Sequence, residues 1–168
     1  MNYYRVIAII FALSLFNVAH ACRCEGEISV REALRSATVV FRGKILSKEL
    51  TDSLGQYEAK LVGDPKSPIR NILRTSMAIY RIEVEKLYIG KMTSDTVTII
   101  TAPTTAGCGY QFVVGDEYII YGEDSDYRGS AKLTYKSTSN NTYWTHICTR
   151  TQEFDYSEEQ KITQALKT

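Results

Sequence analysis

The placement of four cysteines constrains this chain more than any other feature. Cys22 and Cys24 stand two residues apart near the start, and Cys108 and Cys148 lie far downstream. What precedes Cys22 decides how they are read. Arg5 is followed by an apolar run from Val6 to Phe16 and then by Ala19-His20-Ala21. A basic start, a short apolar stretch and small residues at both positions of an A-x-A site describe a cleavable secretory signal over residues 1–21. The apolar run covers roughly 16 Å at about 1.5 Å per residue, against a hydrocarbon core of roughly 30 Å, so no membrane anchor is expected. A lipoprotein signal is disfavoured because Ala19, not a larger aliphatic residue, stands three before Cys22. The chain is read as secreted or extracellular, or periplasmic in a Gram-negative cell, with residues 22–168 as one domain.

In an exported chain four cysteines read as two disulfides, for which three pairings exist. Cys22 with Cys24 would close a very small ring with poor dihedrals. Both other pairings tie the N-terminal segment to Cys108 and Cys148, and both stay open at this point. A zinc site is disfavoured, since only His146 remains after cleavage and no C-x-x-C accompanies Cys22-Arg23-Cys24. The C-x-C spacing also disfavours a redox motif. Cleavage after Ala21 makes Cys22 residue one, with a free α-amine whose pKa lies near ~8 and which is partly neutral at pH 7. A terminus stapled at Cys22 and again at Cys24 presents its nitrogen and carbonyl oxygen rigidly, as a chelating group must. The plainer reading is that both cysteines only anchor a strand.

Charge narrows the partners. Lys and Arg total 20 and Asp and Glu 19, and Arg5 is the only charged residue that leaves with the signal. That balance argues against bulk nucleic-acid or membrane-surface binding. Lys44, Lys48, Lys60 and Lys66 are interspersed with acids and form no heparin stripe. Tyr80, Tyr88, Tyr110, Tyr118, Tyr121, Tyr135, Tyr143 and Trp144 could stack bases, but without a basic stripe they are read as core and rim packing.

Local pattern predicts a mainly β domain with flanking helices. Ser29-Val30-Arg31-Glu32 is a capping box for a short helix over 29–36. Strands are predicted over 38–46, with a bulge or bend at Gly43, and over 77–88, 96–101, 117–121 and 132–136. Residues 50–75 read as a long exposed hairpin or loop, 102–109 as a turn-rich connector, and 143–148 as extended. Ser157-Glu158-Glu159-Gln160 is predicted to cap a last helix running to about Leu166. Strands spaced this way suggest a five-stranded OB-like closed β-barrel, with a β-sandwich as second choice.

Several of these features together resemble the N-terminal domain of the tissue inhibitors of metalloproteinases, a netrin-like OB domain. The resemblance rests on Cys22-Arg23-Cys24 at the cleaved terminus, on 37–44 and 80–90 as its first two strands, and on Cys108-Gly109-Tyr110. The segment 117–122 and Cys148 follow in the family's order. It spans about residues 22–150. It implies the disulfides Cys22–Cys108 and Cys24–Cys148. It also implies a monomeric metalloprotease inhibitor with no cofactor of its own, whose Cys22 α-amine and carbonyl oxygen chelate the target's zinc. Such a zinc holds three protein ligands and keeps its fourth position for the attacking water. Arg23 would then enter the protease's specificity pocket, Cys24 and Glu25 would continue the wedge, and Ala106, Gly107 and Cys108 would form the adjacent ridge. The family's third disulfide near the first helix and its second, cysteine-rich domain have no counterpart here, which implies a distant, single-domain relative. Burying the Arg23 guanidinium demands a carboxylate in the pocket that receives it.

The alternative is a netrin-like protein- or glycan-binding module that uses the cysteines for stability alone. An enzyme is not expected: the mature chain has no G-x-S-x-G motif, and His146 stands without a catalytic partner in the pattern. Asp124-Ser125-Asp126 lacks the glycine and terminal glutamate of an EF-hand and reads as a solvated turn, as do Asp52, Asp64 and Asp116. Asn140-Asn141-Thr142 is a glycosylation sequon at Asn140.

Overall fold

The computed structural model describes residues 22, 24, 26–51, 58–61, 76–124, 126–128, 131–134 and 141–167. In chain order these form α1 (Val30–Ser36), β1 (Val39–Thr51), β2 (Glu58–Leu61), β3 (Met77–Ile89) and β4 (Thr96–Thr101). A 3-10 turn (Thr105–Gly107), β5 (Glu117–Gly122), β6 (Asp126–Arg128), β7 (Ala131–Thr134), β8 (Thr142–Trp144), β9 (Gln152–Glu153) and α2 (Tyr156–Ala165) follow. The predicted signal over 1–21, most of 50–75, Tyr135 and Asn140 lie outside the described residues.

The local predictions succeed where one short motif decides. Ser29 caps α1, its Oγ accepting the Glu32 N–H at 3.3 Å. β1 and β3 pair antiparallel along their whole lengths, from Val40 opposite Ile89 to Thr51 opposite Met77, with three register shifts. One shift falls between Arg42 and Gly43. There a Cβ on Gly43 would lie 2.6 Å from the Glu83 carbonyl oxygen, so the bend needs a residue without a side chain.

The main sheet has six strands in the order β8-β4-β3-β1-β5-β9, antiparallel except where β8 runs parallel to β4. As a hydrogen-bonded ladder it is open, with β8 and β9 as its outer strands, which corrects the expectation of a closed five-stranded barrel. At Tyr118 and Ile119 the outer edge of β5 pairs with β9 and not with β8, Glu153 lying opposite Tyr118 and Gln152 opposite Ile119. Just past the end of β5 an isolated bridge joins it to β8, with Glu123 and Trp144 exchanging hydrogen bonds of 2.8 and 2.7 Å. The strand predicted over 132–136 is also reassigned. It is β7, and it lies between β2 and β6 in a separate three-stranded sheet.

Because successive side chains of a strand point to opposite faces, the apolar runs of β1 and β5 feed two cores. Val39, Phe41, Tyr118 and Ile120 pack with Tyr80, Ile82, Ile99, Phe112 and Tyr143 on one face. Val40, Ile119 and Tyr121 face the other way, against Ala33 of α1 and Ile162 of α2. Tyr80, Tyr118 and Tyr121 are accordingly core residues, fully buried. Tyr110, Phe112 and Tyr118 meet edge-on or tilted, with centroids 4.6 to 6.0 Å apart.

The cap of α2 differs from the sequence reading. Asp155, not Ser157, closes the helix, its Oδ1 accepting the Ser157 N–H at 3.1 Å. That shift places Glu158 and Glu159 inside the first turn, where both are buried. Glu159 Oε1 accepts from Lys86 Nζ at 2.6 Å and from the Tyr88 hydroxyl at 2.9 Å. Glu158 Oε1 accepts from the Tyr121 hydroxyl at 2.9 Å and from Arg150 Nε at 2.5 Å. These bonds fasten the first turn of α2 to β3, to β5 and to Arg150.

Candidate functional site

The site grows from the connector after β4. Thr104 ends its extended run, and its carbonyl accepts the N–H groups of both Gly107 and Gly109, at 3.1 and 2.9 Å. The Cys108 N–H donates to Thr105 O at 2.9 Å, and the Tyr110 N–H to Thr101 Oγ1 at 2.9 Å. The chain thus folds back on itself between Thr101 and Tyr110, nine positions apart. Two backbone features make the turn. Cys108 adopts φ 65°, the left-handed region that a residue with a side chain enters at a cost of about 1 kcal/mol. Gly109 is buried, and a Cβ on it would sit 1.9 Å from Ala102 O. Gly109→Ala is therefore expected to destabilise the domain by about 3 kcal/mol, because the clash is with backbone and cannot be relieved by a rotamer. Urea unfolding of the variant checks this, and a midpoint equal to wild type would contradict it.

Onto this knuckle the next segment is sewn: the Ile147 N–H donates to Cys108 O at 3.0 Å. His146 Nδ1 accepts the Cys148 N–H at 3.1 Å, which turns the chain at the second half-cystine. Cys108 and Cys148 are thereby held side by side, and the N-terminal segment is bolted to both. The disulfides are Cys22–Cys108 and Cys24–Cys148, with Cα separations of 5.4 and 5.3 Å. Sequence geometry left two pairings open, and this is the one the family resemblance implied. All four cysteines are in these bonds, so none is free as a thiolate ligand.

Of the residues singled out from the sequence, Cys22, Cys24 and Cys108 come together here, each half-buried. Ala106 and Gly107 sit in the 3-10 turn directly ahead of Cys108, Ala106 exposed and Gly107 half-buried. Arg23 and Glu25 lie outside the described residues. Compared with protein-family models and with curated proteins, the chain matches none. Its function must be argued from this geometry.

One part of the site was missed from the sequence. Arg150, two residues after Cys148, donates from Nη1 to Ile28 O at 2.7 Å, at the point where the N-terminal segment enters α1. Its Nε and Nη2 fork onto Glu158 Oε1 and Oε2 at 2.5 and 2.8 Å. Between the segment and residues 147–152 lies an open groove of about 320 Å³, with Cys24, Ile28, Cys148 and Arg150 in its wall. The only sequence signals were an arginine beside the last cysteine and two acids that read as helix-capping.

The pair is electrostatically tuned. Burial alone would push the Glu158 carboxyl up, but the hydrogen bonds from Arg150 and Tyr121 outweigh it and hold the group below its ordinary 4.5. The bonds to Glu158 raise Arg150 in turn. Burial, reinforced by the Glu158 charge, raises the Tyr121 phenol. Glu159 is also lowered, chiefly by its bond from Lys86. A carboxylate depressed in the folded state gives stability that is complete above its unfolded pKa and lost as pH falls through the folded one. Unfolding free energy is thus expected to be level from neutrality to about pH 5 and to fall below about pH 4.5. Urea midpoints across that range check it, and Glu158→Gln should flatten the acid slope.

Proposed function

We propose that this chain is a secreted, stoichiometric inhibitor of zinc metalloproteases, built on a netrin-like OB-type domain. The observation that carries the reading is the double clamp: Cys22 fastened to Cys108, and Cys24, two residues on, fastened to Cys148. Removal of residues 1–21 leaves Cys22 with a free α-amine beside its own carbonyl oxygen, and the clamp holds both atoms in one orientation. Together they offer a bidentate ligand to a catalytic zinc in another protein, displacing the water that would attack the substrate. Pre-ordering by two disulfides means that little conformational entropy is lost on docking. The bridge from Glu123 to Trp144 supports the OB-type assignment, since it ties the end of β5 to β8 where a barrel would close.

In this reading Arg23 enters the specificity pocket, Cys24 and Glu25 lie along the cleft as a substrate would, and Ala106, Gly107 and Cys108 form the neighbouring ridge. The favoured target has a carboxylate in the pocket that receives Arg23. The protein contributes no cofactor and carries out no turnover; the zinc belongs to the protease. The test is a titration of the mature protein against purified zinc metalloproteases, with a form carrying one alanine ahead of Cys22 in parallel. One-to-one loss of activity with the native form alone supports the reading. No inhibition of any enzyme, with retained binding to a protein or glycan, would leave the disulfides a purely stabilising role. Equal inhibition by both forms would remove the chelation mechanism.

A further inference from the structure

The N-terminal segment is fixed not only at its two cysteines but again at Ile28. Between Cys24 and Ile28 the chain turns at Gly26, whose φ of +86° is natural for glycine alone. Cys24 is bonded to Cys148, and Ile28 O is held by Arg150. These two anchors are neighbours in sequence, so residues 24–28 and 148–150 close a small ring made of one disulfide and one charge-assisted hydrogen bond.

What makes the second anchor directional is the geometry behind it. A guanidinium is a rigid plane, and a bidentate carboxylate fixes where its remaining donor points. Glu158 supplies that carboxylate with only 1% of its side chain exposed. Glu158 in turn cannot swing, because the Tyr121 hydroxyl holds Oε1 from β5. The other charges facing the pair are Glu27, which also acts on Arg150, and Lys161, whose Nζ is 3.9 Å from Glu158 Oε2. Neither replaces the fork. A continuous set of bonds therefore runs from β5 through Glu158 of α2 and Arg150 to the backbone of the N-terminal segment.

We infer that Arg150 is a positioning residue for the N-terminal segment, and that α2, through Glu158, sets the direction in which Cys22 and Cys24 are presented. The inference rests on the proposed inhibitory role for its consequence, but its geometric half can be read without it. α2 is then part of the inhibitor's working apparatus, although its own residues need not touch the protease.

The experiment compares Arg150→Lys, Arg150→Ala and Glu158→Gln in the full mature chain. Lysine keeps a charge toward Glu158 but sets its three donors on one nitrogen, so it lacks the planar spread by which Nε and Nη2 grip both Glu158 oxygens while Nη1 reaches Ile28 O. The expected result for Arg150→Lys is a small change in melting temperature with a local loss of order. Backbone amide order parameters at Gly26, Glu27 and Ile28 should fall from about 0.85 to below about 0.6, while those of β3 stay unchanged. The inhibition constant should rise at least about tenfold. If Arg150→Lys keeps wild-type order and inhibition, and Arg150→Ala changes them only in step with its melting temperature, the residue is merely structural and the inference is overturned. Should Arg150→Ala fail to fold, the lysine variant still decides. If the wild-type protein inhibits nothing, the functional reading fails, and the order parameters still show whether Arg150 directs the segment.

Discussion

One alanine added ahead of Cys22 is expected to lower inhibition at least about 1000-fold, a loss of about 4 kcal/mol in binding. The proposed mechanism asks one residue to supply both ligands, its amine nitrogen and its carbonyl oxygen, in a single five-membered chelate ring. Extension converts that amine to an amide, whose nitrogen lone pair is delocalised into the carbonyl and no longer binds zinc. Nothing in the fold requires the amine: Cys22 is tied down through its sulfur and Cys24 through its own. The extended protein should therefore keep both disulfides and its melting temperature while losing activity. That separation makes the measurement decisive, because a fall in inhibition with an intact fold isolates the terminal atoms. The amine must also be neutral to bind metal, so the native form should associate faster as pH rises toward about 8.

The features legible in the sequence were those set by neighbours along the chain. Ser29 and Glu32 stand three apart, and the bond between them forms whatever the rest of the domain does. Gly43 announced the bend in β1 because a backbone oxygen approaches where a side chain would be. Tertiary partners decided the rest. The outer edge of β5 is taken at Tyr118 and Ile119 by β9, two residues that no propensity would have marked as a strand. The acids after Ser157 looked like a cap because capping is a local pattern. Their burial depends on Arg150, Tyr121 and Lys86, which reach Glu158 and Glu159 across the fold. Likewise, ring size could reject only Cys22 with Cys24. Choosing between the other pairings required the tertiary placement that sets Cys22 5.4 Å from Cys108 and Cys24 5.3 Å from Cys148, Cα to Cα. Arg150 was invisible for the same reason: its acceptor is a backbone carbonyl 122 positions away.

Replacing Cys24 and Cys148 by serine is expected to lower the melting temperature by about 12 °C. Alone, a bridge between residues 124 apart constrains a long loop of the unfolded chain. In the chain-entropy model such a loop is worth about 5 kcal/mol. The two bridges here are not independent, since Cys22 and Cys24 are almost the same point on the chain. With Cys22–Cys108 in place, the shortest ring that the second bridge closes runs mainly from Cys108 to Cys148. That ring holds on the order of forty residues, and the contribution falls to about 4 kcal/mol. The same ring governs the reverse experiment, so Cys22→Ser with Cys108→Ser should cost nearly as much. The two double variants are then alike in stability but not in function. Without Cys24–Cys148 the segment is still held by Cys108 in front and Arg150 behind. Without Cys22–Cys108 the first residue swings free, and inhibition should collapse although the melting temperature matches its counterpart. Calorimetry on both, beside inhibition assays, measures the difference; a shift below about 3 °C in either would contradict the entropic account.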